Sequence, residues 1–385
     1  LPHVFFTKDK RAAEIFRKMA GPVYKHSHRL GVLWKNGYVD FPFQNNVHQL
    51  GLEDRKFVLK GLLDRMDTPE IKPRSLEEFS LRVFGAGIVE LFFRPYNEKL
   101  WQAKLSEMDY KWIFLKIRLP DSSSLADSVL GGSSGKPRFK QRGKSPETAP
   151  HAEFMYPKKG GIESLISGMI EHIGNSKLLY GTEVLKIDAV SRTIKTSSCD
   201  IRYNRLISTL PLDSVTRMAG LGKCAGAAGR LKANTVLCIH YVLKKINLPP
   251  YHWIYVPDAD IPFYRLTRVD LINPAAAPGN KVLLAECAGP SVMSRAKAEN
   301  LIKNTLKCLE KSGIIRKKDI ENSWSSVHSP AYAVPHVTIE KDVSLCLENL
   351  RKAGIISAGR FGEWAFYNMD HSMNSGIKAA DEVLA

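Results

Sequence analysis

Two arginines lie in segments that could bind a phosphate-bearing small molecule. Arg265 ends the run Pro262-Phe-Tyr-Arg265, and Arg118 lies in the run Lys116-Ile-Arg-Leu-Pro120. A guanidinium is planar and rigid, so its parallel N–H groups can bind two phosphate oxygens at once. This chemistry would allow either arginine to clamp a phosphate group. The alternative is that either one forms an ordinary surface ion pair.

A second candidate lies near the C-terminus, where a short apolar run leads into a helix. Ile355–Ala358 predicts a buried strand, and a glycine-containing turn precedes a helix that Asn368 or Asp370 could cap. Gly376 and Ala379 give this helix a small-residue face. A helix N-terminus favours an anion or a polar carbonyl group. The alternative is a terminal helix that simply packs on a sheet.

Other side chains could bind a ligand, and each also has a structural interpretation. Tyr255 and Trp101 could equally be core aromatics, and Gln44 could be an ordinary turn residue. His3 follows a common pattern for a hydrogen-bonded core histidine, and His371 could merely lie beside a helix cap.

Composition limits the class of partner. The chain has 385 residues and a formal net charge of +17, which suits a nucleotide diphosphate, a nucleic acid or an acidic membrane surface. No nucleic-acid-binding motif is present, which argues against nucleic acid. No apolar run approaches the ~20 residues of a membrane span, and no signal-peptide pattern opens the chain, although the charge is compatible with peripheral membrane contact. A nucleotide diphosphate and an acidic membrane surface both stay open as partners, and the alternative is a generally basic protein.

The six cysteines are scattered and include no C-x-x-C pair. This pattern predicts reduced thiols in a cytoplasmic protein, without a disulfide framework or a metal site.

Apolar runs predict a large sheet in the second half of the chain. The predicted strands are Asn234–Leu243, Trp253–Val256, Phe263–Arg268, Lys281–Ala288 and Ser323–Val337, with an amphipathic helix at Ala296–Lys311. In the first half, Asn36-Gly37 lies between apolar segments and predicts a hairpin.

The predicted helices have recognisable starts. Asp9 could cap the first one, and Ser75 with Glu78 forms a capping-box pattern. Residues 48–117 are predicted to be mainly helical, with a break at Pro95. Residues 121–150 are rich in Ser, Gly, Lys and Pro, which predicts a mobile loop.

Two glycine-containing runs look like nucleotide-binding loops but fail the tests for them. Gly132–Lys136 has the wrong spacing and is followed by Pro137 instead of Ser or Thr. Gly220–Ala225 follows a predicted helix, whereas a dinucleotide loop follows a strand.

The C-terminal segment resembles that of a known family. The runs Gly359-Arg-Phe-Gly362 and Asn368-Met-Asp-His-Ser372 resemble the flavin-contacting segment of the amine-oxidase-type FAD superfamily, and within it UDP-galactopyranose mutases. The resemblance implies that Arg360 lies by the FAD pyrophosphate. It also implies that the helix starting near Met369 and Asp370 points at the isoalloxazine ring.

Further matches follow in order along the chain. They are Pro2-His-Val-Phe-Phe-Thr7, Phe41-Pro-Phe-Gln-Asn-Asn46, Phe93-Arg-Pro-Tyr-Asn-Glu-Lys-Leu-Trp101, Glu183-Val184, Ile207-Ser-Thr-Leu-Pro211, Trp253-Ile-Tyr-Val-Pro-Asp258 and Pro262-Phe-Tyr-Arg265. By resemblance, the cofactor-binding candidates are His3, Glu183, Val184, Arg360, Met369, Asp370 and His371. The substrate-binding candidates are Phe43, Gln44, Tyr96, Trp101, Tyr255, Arg265, Phe366 and Tyr367, and the catalytic candidates are Arg265, Arg118, Tyr255 and Asn368.

Three features depart from the family pattern. Its glycine-rich strand–turn–helix, which binds the FAD pyrophosphate, would lie upstream of Leu1. Phe366 stands where mutases have a phosphate-contacting tyrosine, with Tyr367 adjacent, and Phe41 also replaces a tyrosine. These changes leave the substrate open.

The resemblance implies an α/β flavoprotein with a Rossmann-like FAD-binding unit, a helical insertion and a mainly antiparallel sheet domain. We assign 1–20, 151–228 and 354–385 to the FAD-binding unit and 48–125 to the insertion. The sheet domain then comprises 21–47 and 229–353.

The implied activity is interconversion of the pyranose and furanose forms of a nucleotide-diphosphate sugar by reduced FAD. One alternative is an FAD-dependent oxidoreductase of the same superfamily, and another is a non-catalytic basic binding protein with a degenerate flavin site.

Overall fold

The computed structural model describes residues 3–35, 37–66, 72–115, 121–131 and 153–385. The chain divides into two compact units. The first comprises residues 1–2, 26–153 and 233–337, and the second comprises 3–25, 154–232 and 338–385. The predicted helical insertion falls inside the first unit, and the three-part domain division stays a prediction.

The strands of the described residues are given in chain order. They are β1 (Val23–Ser27), β2 (Leu30–Trp34), β3 (Gly37–Asp40), β4 (Glu153–Pro157), β5 (Val184–Asp188), β6 (Thr193–Thr196), β7 (Asp200–Arg202), β8 (Leu206–Ser208), β9 (Ala233–Leu243), β10 (Trp253–Tyr255), β11 (Arg265–Arg268), β12 (Lys281–Gly289), β13 (Ile320–Ala333) and β14 (Ile355–Ser357).

The α-helices of the same residues are α1 (Lys10–Ala20), α2 (Leu52–Met66), α3 (Leu76–Ile88), α4 (Arg94–Trp101), α5 (Ser122–Leu130), α6 (Glu163–Ile173), α7 (Leu212–Met218), α8 (Ala225–Arg230), α9 (Val269–Ile272), α10 (Arg295–Lys311), α11 (Ile339–Lys352), α12 (Gly359–Gly362) and α13 (Met369–Leu384). The mixed α/β class predicted from the sequence is confirmed.

The first unit is built on a seven-stranded sheet in the order β13-β9-β12-β11-β10-β2-β3. All its neighbours pair antiparallel except β10 and β2. Alternate β9 residues, Leu237 and Ile239 among them, pack with Leu309 of α10 in one apolar core. Because side chains alternate across a strand, the residues between them point to the opposite face of the sheet.

The second unit contains two small sheets and several helices. β14 pairs parallel with β8, and β5, β6 and β7 form an antiparallel meander. Phe5 and Phe16 are fully buried and stack on each other, with ring centroids 4.1 Å apart. Met369 and Met373 of α13 pack against the same core, so this core anchors the start of α13.

Several local predictions are confirmed. Asp9 caps α1 through a 3.1 Å bond from the Ala12 N–H, and β2 and β3 form the predicted hairpin, although Asn36 lies outside the described residues. Ser75 caps α3 by accepting from the Glu78 N–H at 3.3 Å. The reciprocal bond of the capping box goes elsewhere, because the Glu78 carboxylate accepts from the Arg74 N–H at 2.9 Å.

Two local predictions are wrong. Pro95 does not break the helix, because a π-helical segment at Val89–Phe93 joins α3 to α4 and places the proline in the first turn of α4, where its missing N–H costs little. Ser122–Leu130 is a helix, capped by Asp121, and not part of a loop.

The contact between α2 and α3 depends on glycines. A Cβ added at Gly87 would lie 2.4 Å from the Val58 Cα, and one added at Gly61 would lie 2.5 Å from the Gly87 nitrogen. Neither neighbour is a flexible side chain, so the two backbones can approach this closely only without side chains at these positions.

We therefore expect Gly87→Ala to reduce the free energy of unfolding by roughly 1–3 kcal/mol, the usual cost of overpacking. Urea denaturation monitored by circular dichroism measures the change. Gly229→Ala is the matched control, since a Cβ there has no atom within 4 Å and the residue lies in α8. Equal midpoints for Gly87→Ala and the wild type would show that the helices can separate without cost.

Candidate functional site

A buried ion pair lies on the face of the large sheet opposite the core around α10. Arg265 of β11 stands directly opposite Glu286 of β12 in the antiparallel register. The Arg265 Nη2 donates to Glu286 Oε1 at 2.7 Å, and its Nε donates to Oε2. Glu286 is fully buried, whereas the Arg265 side chain is 17% exposed. The pair therefore presents its cationic side to the outside.

Two hydroxyl groups complete the surroundings of this carboxylate. The Tyr264 hydroxyl donates to Glu286 Oε1 at 3.2 Å, and the Thr267 hydroxyl lies 3.4 Å from Oε2. Burial would lower the pKa of the Arg265 guanidinium, but the Glu286 carboxylate raises it well above its usual range. Arg265 is therefore a permanent, fixed cation. Its Nη1 has no hydrogen-bond partner within the part of the chain that the structure describes.

Register places a third side chain in the same row. Tyr255 of β10 stands opposite Arg265, so Tyr255, Arg265 and Glu286 lie side by side across three strands. Residues directly opposite in antiparallel strands point to the same face of the sheet. The sheet itself thus sets the spacing of this row.

An aromatic cluster of Phe41, Phe43, Phe92, Tyr96 and Tyr255 lies beside the row. The ring centroids of Phe41 and Tyr255 are 4.6 Å apart, and those of Tyr96 and Tyr255 are 5.5 Å apart. Phe92 stacks on both Phe43 and Tyr96, at 4.8 and 5.5 Å. Burial raises the pKa of Tyr96 and of Tyr255. Their hydroxyls therefore stay protonated at neutral pH and can donate hydrogen bonds.

Three predicted substrate-binding residues are packed inside the first unit. Phe43 and Trp101 are 0% and 1% exposed, and Gln44 is 7% exposed. Trp101 contacts the rings of Trp112 and Tyr332 at centroid distances of 5.0 and 5.8 Å. Their observed surroundings are those of supporting core residues. Arg118, the second predicted clamp, lies outside the described residues.

The second unit contains the Gly-Arg turn predicted to bind the cofactor. Gly359 adopts φ of 82°, a left-handed conformation that favours glycine. Its N–H donates to the Ser375 hydroxyl at 2.8 Å, which ties the turn to α13. Arg360 Nη1 donates to the Tyr367 carbonyl at 2.9 Å, and its guanidinium carbon lies 5.1 Å from the Phe366 ring centroid. The turn that precedes α13 therefore brings together Arg360, Phe366 and Tyr367.

The first turn of α13 carries the remaining C-terminal candidates. Asn368 occupies the N-cap position, without a capping hydrogen bond from its side chain. His371 Nδ1 lies 3.0 Å from Asp370 Oδ1, and the His371 ring stacks on that of Tyr367 at 5.7 Å. Burial alone would raise the pKa of Asp370, but its hydrogen bond and charge contact with His371 lower it overall. Met369 faces the core.

The other cofactor candidates lie elsewhere in the second unit. His3 is exposed and precedes the short bridge between Phe5 and Met155. Glu183 is exposed at the start of the three-stranded meander, where its N–H donates to the Ser197 hydroxyl at 3.0 Å, and Val184 begins β5. Among the described residues, no hydrogen bond joins Glu183 to α13.

Sequence reasoning missed Glu286, although a signal was present. Glu286 is the only charged residue after Lys281 in an otherwise apolar strand, β12. A charge in a buried strand must be paired, so its position already required a cation on a neighbouring strand.

Two further features bear on the class of site. Within the described ranges, no group of three or more His, Cys, Asp or Glu side chains could hold a metal ion. No helix in those ranges is both long and apolar enough to cross a bilayer.

The ion pair predicts a strong dependence of stability on Glu286. Glu286→Gln should lower the free energy of unfolding by about 3–5 kcal/mol, because it leaves the buried Arg265 charge unpaired. Urea denaturation provides the measurement. Glu299→Gln is the control, since its ion pair with Arg295 is exposed and should contribute less than about 1 kcal/mol. A similar small loss for both variants would contradict the importance of the buried pair.

Comparison with known proteins identifies the family and the fold. The sequence matches the family of flavin containing amine oxidoreductases over residues 3–384. The structure is similar to that of a reduced UDP-galactopyranose mutase, with a TM-score of 0.89 and 25% sequence identity. That alignment covers 99% of this chain and 82% of the mutase chain.

Two other solved structures share the fold. A putative protoporphyrinogen oxidase from Exiguobacterium sp. has a TM-score of 0.71 and 15% identity, and the alignment covers 100% of this chain and 90% of the oxidase. A CLA-producing fatty acid isomerase from P. acnes has a TM-score of 0.59 and 12% identity, with 99% and 85% of the two chains covered.

The family match spans nearly the whole chain. It confirms the FAD superfamily predicted from the C-terminal segment, and with it a flavin-dependent enzyme whose cofactor is FAD. The chain therefore belongs to the family of flavin-containing amine oxidoreductases.

Proposed function

We propose that this protein is a mutase-like flavoenzyme that interconverts the pyranose and furanose forms of a nucleotide-diphosphate sugar. The observation that carries the proposal is the row of Tyr255, Arg265 and Glu286 beside the aromatic cluster. It occurs in a chain whose structure is similar to a UDP-galactopyranose mutase. A fixed cation next to aromatic rings suits a ligand that joins a diphosphate to a base.

The residues of the second unit fit part of an FAD site. Arg360 offers a guanidinium for the pyrophosphate, and the open space around the Cα of Gly359 would allow close approach. The first amides of α13 have no acceptor within the helix, so they suit the polar carbonyl edge of the flavin ring. Bound FAD would supply the nucleophilic and redox chemistry. The protein residues bind and orient the reactants.

Arg265 would bind the diphosphate through the side of its guanidinium that faces away from Glu286. The carboxylate occupies Nε and Nη2, which fixes the plane of the fork, and Nη1 is left to donate to phosphate oxygens. Glu286 also offsets part of the positive charge. Binding would therefore depend on the direction of the remaining N–H groups more than on net charge.

The aromatic cluster would bind the base and help exclude water. Phe41, Tyr96 and Tyr255 are partly exposed, so their rings offer contact surface, whereas the buried Phe43 and Gln44 would support them from behind. The protonated Tyr96 and Tyr255 hydroxyls can donate to phosphate or sugar oxygens. Phe41 can contribute only apolar contact.

A second candidate function is substrate oxidation by an FAD-dependent oxidoreductase. Phe366 favours it, because this ring packs against the Arg360 guanidinium and has no hydroxyl to offer a phosphate group. The adjacent Tyr367 has a hydroxyl but lies in different surroundings. Its ring stacks on that of His371, and burial together with the Glu363 carboxylate raises the pKa of Tyr367 to about 12.

Removing Arg265 tests the clamp. Arg265→Ala should weaken UDP binding by roughly 1.5–3 kcal/mol, the range of a charge-assisted hydrogen bond. Arg265→Lys should restore only part of this, because an ammonium cannot bind both Glu286 and a phosphate in the same planar arrangement. Isothermal titration calorimetry gives the affinities, with the exposed Arg295→Ala as control. Unchanged affinity in both Arg265 variants would place the diphosphate elsewhere.

Electron stoichiometry separates the two candidate functions. We expect the dithionite-reduced, FAD-loaded enzyme to interconvert pyranose and furanose forms of a UDP-sugar without air, with no net flavin oxidation, since isomerisation transfers no electrons to the substrate. Chromatography of the sugar nucleotides and flavin absorbance provide the readouts. Turnover only with oxidised flavin, matched one-for-one by acceptor uptake, would favour the oxidoreductase.

A further inference from the structure

Lys99 of α4 makes an unusual set of contacts with the segment that connects β10 to β11. Its ammonium donates to the backbone carbonyls of Val256, at 2.9 Å, and of Asp258, and lies 3.5 Å from that of Phe263. The three acceptors come from both arms of the connecting segment 256–264. One side chain therefore closes this segment and ties it to α4.

The connecting segment packs Val256 and Phe263 into the apolar core, but it makes few other hydrogen bonds to residues outside it. Val256 N–H donates to the Tyr264 carbonyl at 2.9 Å, which closes its base, and Asp260 N–H donates to Asp258 Oδ1 at 2.9 Å near its tip. Tyr264 N–H donates to the Glu286 carbonyl of β12 at 2.9 Å. None of these bonds involves α4. Among the described residues, the hydrogen bonds from α4 to this segment all come from Lys99.

The two ends of the segment are residues of the candidate site. Tyr255 immediately precedes it and Arg265 immediately follows it. Tyr96 lies three positions before Lys99 on α4, so the two side chains lie on the same side of the helix, about one turn apart. The contact between Tyr96 and Tyr255 is a 5.5 Å edge-to-face ring pair, which alone restrains their relative position loosely.

We infer that Lys99 is a positioning residue that holds the 256–264 segment against α4 and so fixes Tyr96 relative to Tyr255 and Arg265. Backbone carbonyls in a turn need donors, and a single ammonium with three N–H groups can serve all three here. The part of this inference that concerns substrate rests on the proposed function. The restraint on the segment does not depend on it.

Lys99 is a donor at neutral pH. Burial lowers the pKa of Lys99 to about 8, and the carboxylates of Asp258 and Asp260 oppose the shift. Near pH 7 the side chain is therefore mainly an ammonium, with three N–H groups to donate.

Hydrogen–deuterium exchange of the whole protein tests the restraint without any ligand. In Lys99→Met we expect the amides of 256–264 to exchange about tenfold faster, since one charge-assisted hydrogen bond corresponds to at least that factor. The matched control is Lys104→Met, because Lys104 is exposed and lies just after α4.

Lys99→Arg distinguishes positioning from general stability. Its guanidinium keeps several donors, so the segment should remain largely protected. It also serves as the test if Lys99→Met does not fold. Calorimetry with UDP should then show about tenfold weaker binding to Lys99→Met than to the wild type.

The possible outcomes separate the positioning role of Lys99 from the proposed substrate. Unchanged exchange in Lys99→Met, or faster exchange with undiminished UDP binding, overturns the positioning role. Faster exchange confined to 256–264, in a protein whose wild type does not bind UDP, supports the restraint and contradicts the proposed substrate.

Discussion

The buried carboxylate of Glu286 is the constraint on which the first unit depends. A charge in the middle of an apolar strand must be neutralised, and Arg265 on the neighbouring strand provides the cation. This pairing is compatible with only one register of β11 against β12. It also requires both side chains to lie on the face of the sheet that is opposite the α10 core. A slip of one residue would place Glu286 against an apolar side chain and send Arg265 to the core face.

The same register brings the site residues together. Tyr255 joins the row through the pairing of β10 with β11, and the aromatic cluster packs beside it. The opposite face of the sheet is occupied by the core around α10. The proposed binding groups and the core-packing groups therefore alternate along the same strands, so the rigid core also holds Tyr255 and Arg265 in place.

Burial sets the protonation states of the groups around this row. It raises the pKa of Tyr96, Tyr255 and Tyr264, which keeps their hydroxyls as donors, and it lowers the pKa of Lys99 to about 8. Arg265 keeps its charge because Glu286 more than compensates for burial. The result is a surface rich in donors, which suits an anionic ligand. The turn at Gly359–Arg360 in the second unit is held in place differently, through the Ser375 hydroxyl and the Tyr367 carbonyl.

The sequence alone determined the α/β class, the FAD superfamily, most strands of the large sheet and the caps at Asp9 and Ser75, because these depend on local patterns and ordered motifs. It could not show that Pro95 continues a helix, since the compensating π-helical segment at Val89–Phe93 becomes favourable only in the packed unit. Nor could it pair Arg265 with Glu286 or Lys99 with the carbonyls of Val256 and Phe263, because these contacts join residues 21 and more than 150 positions apart. Only tertiary structure decides such partners, because strand register and helix packing bring distant residues into contact, whereas sequence patterns record only neighbours along the chain.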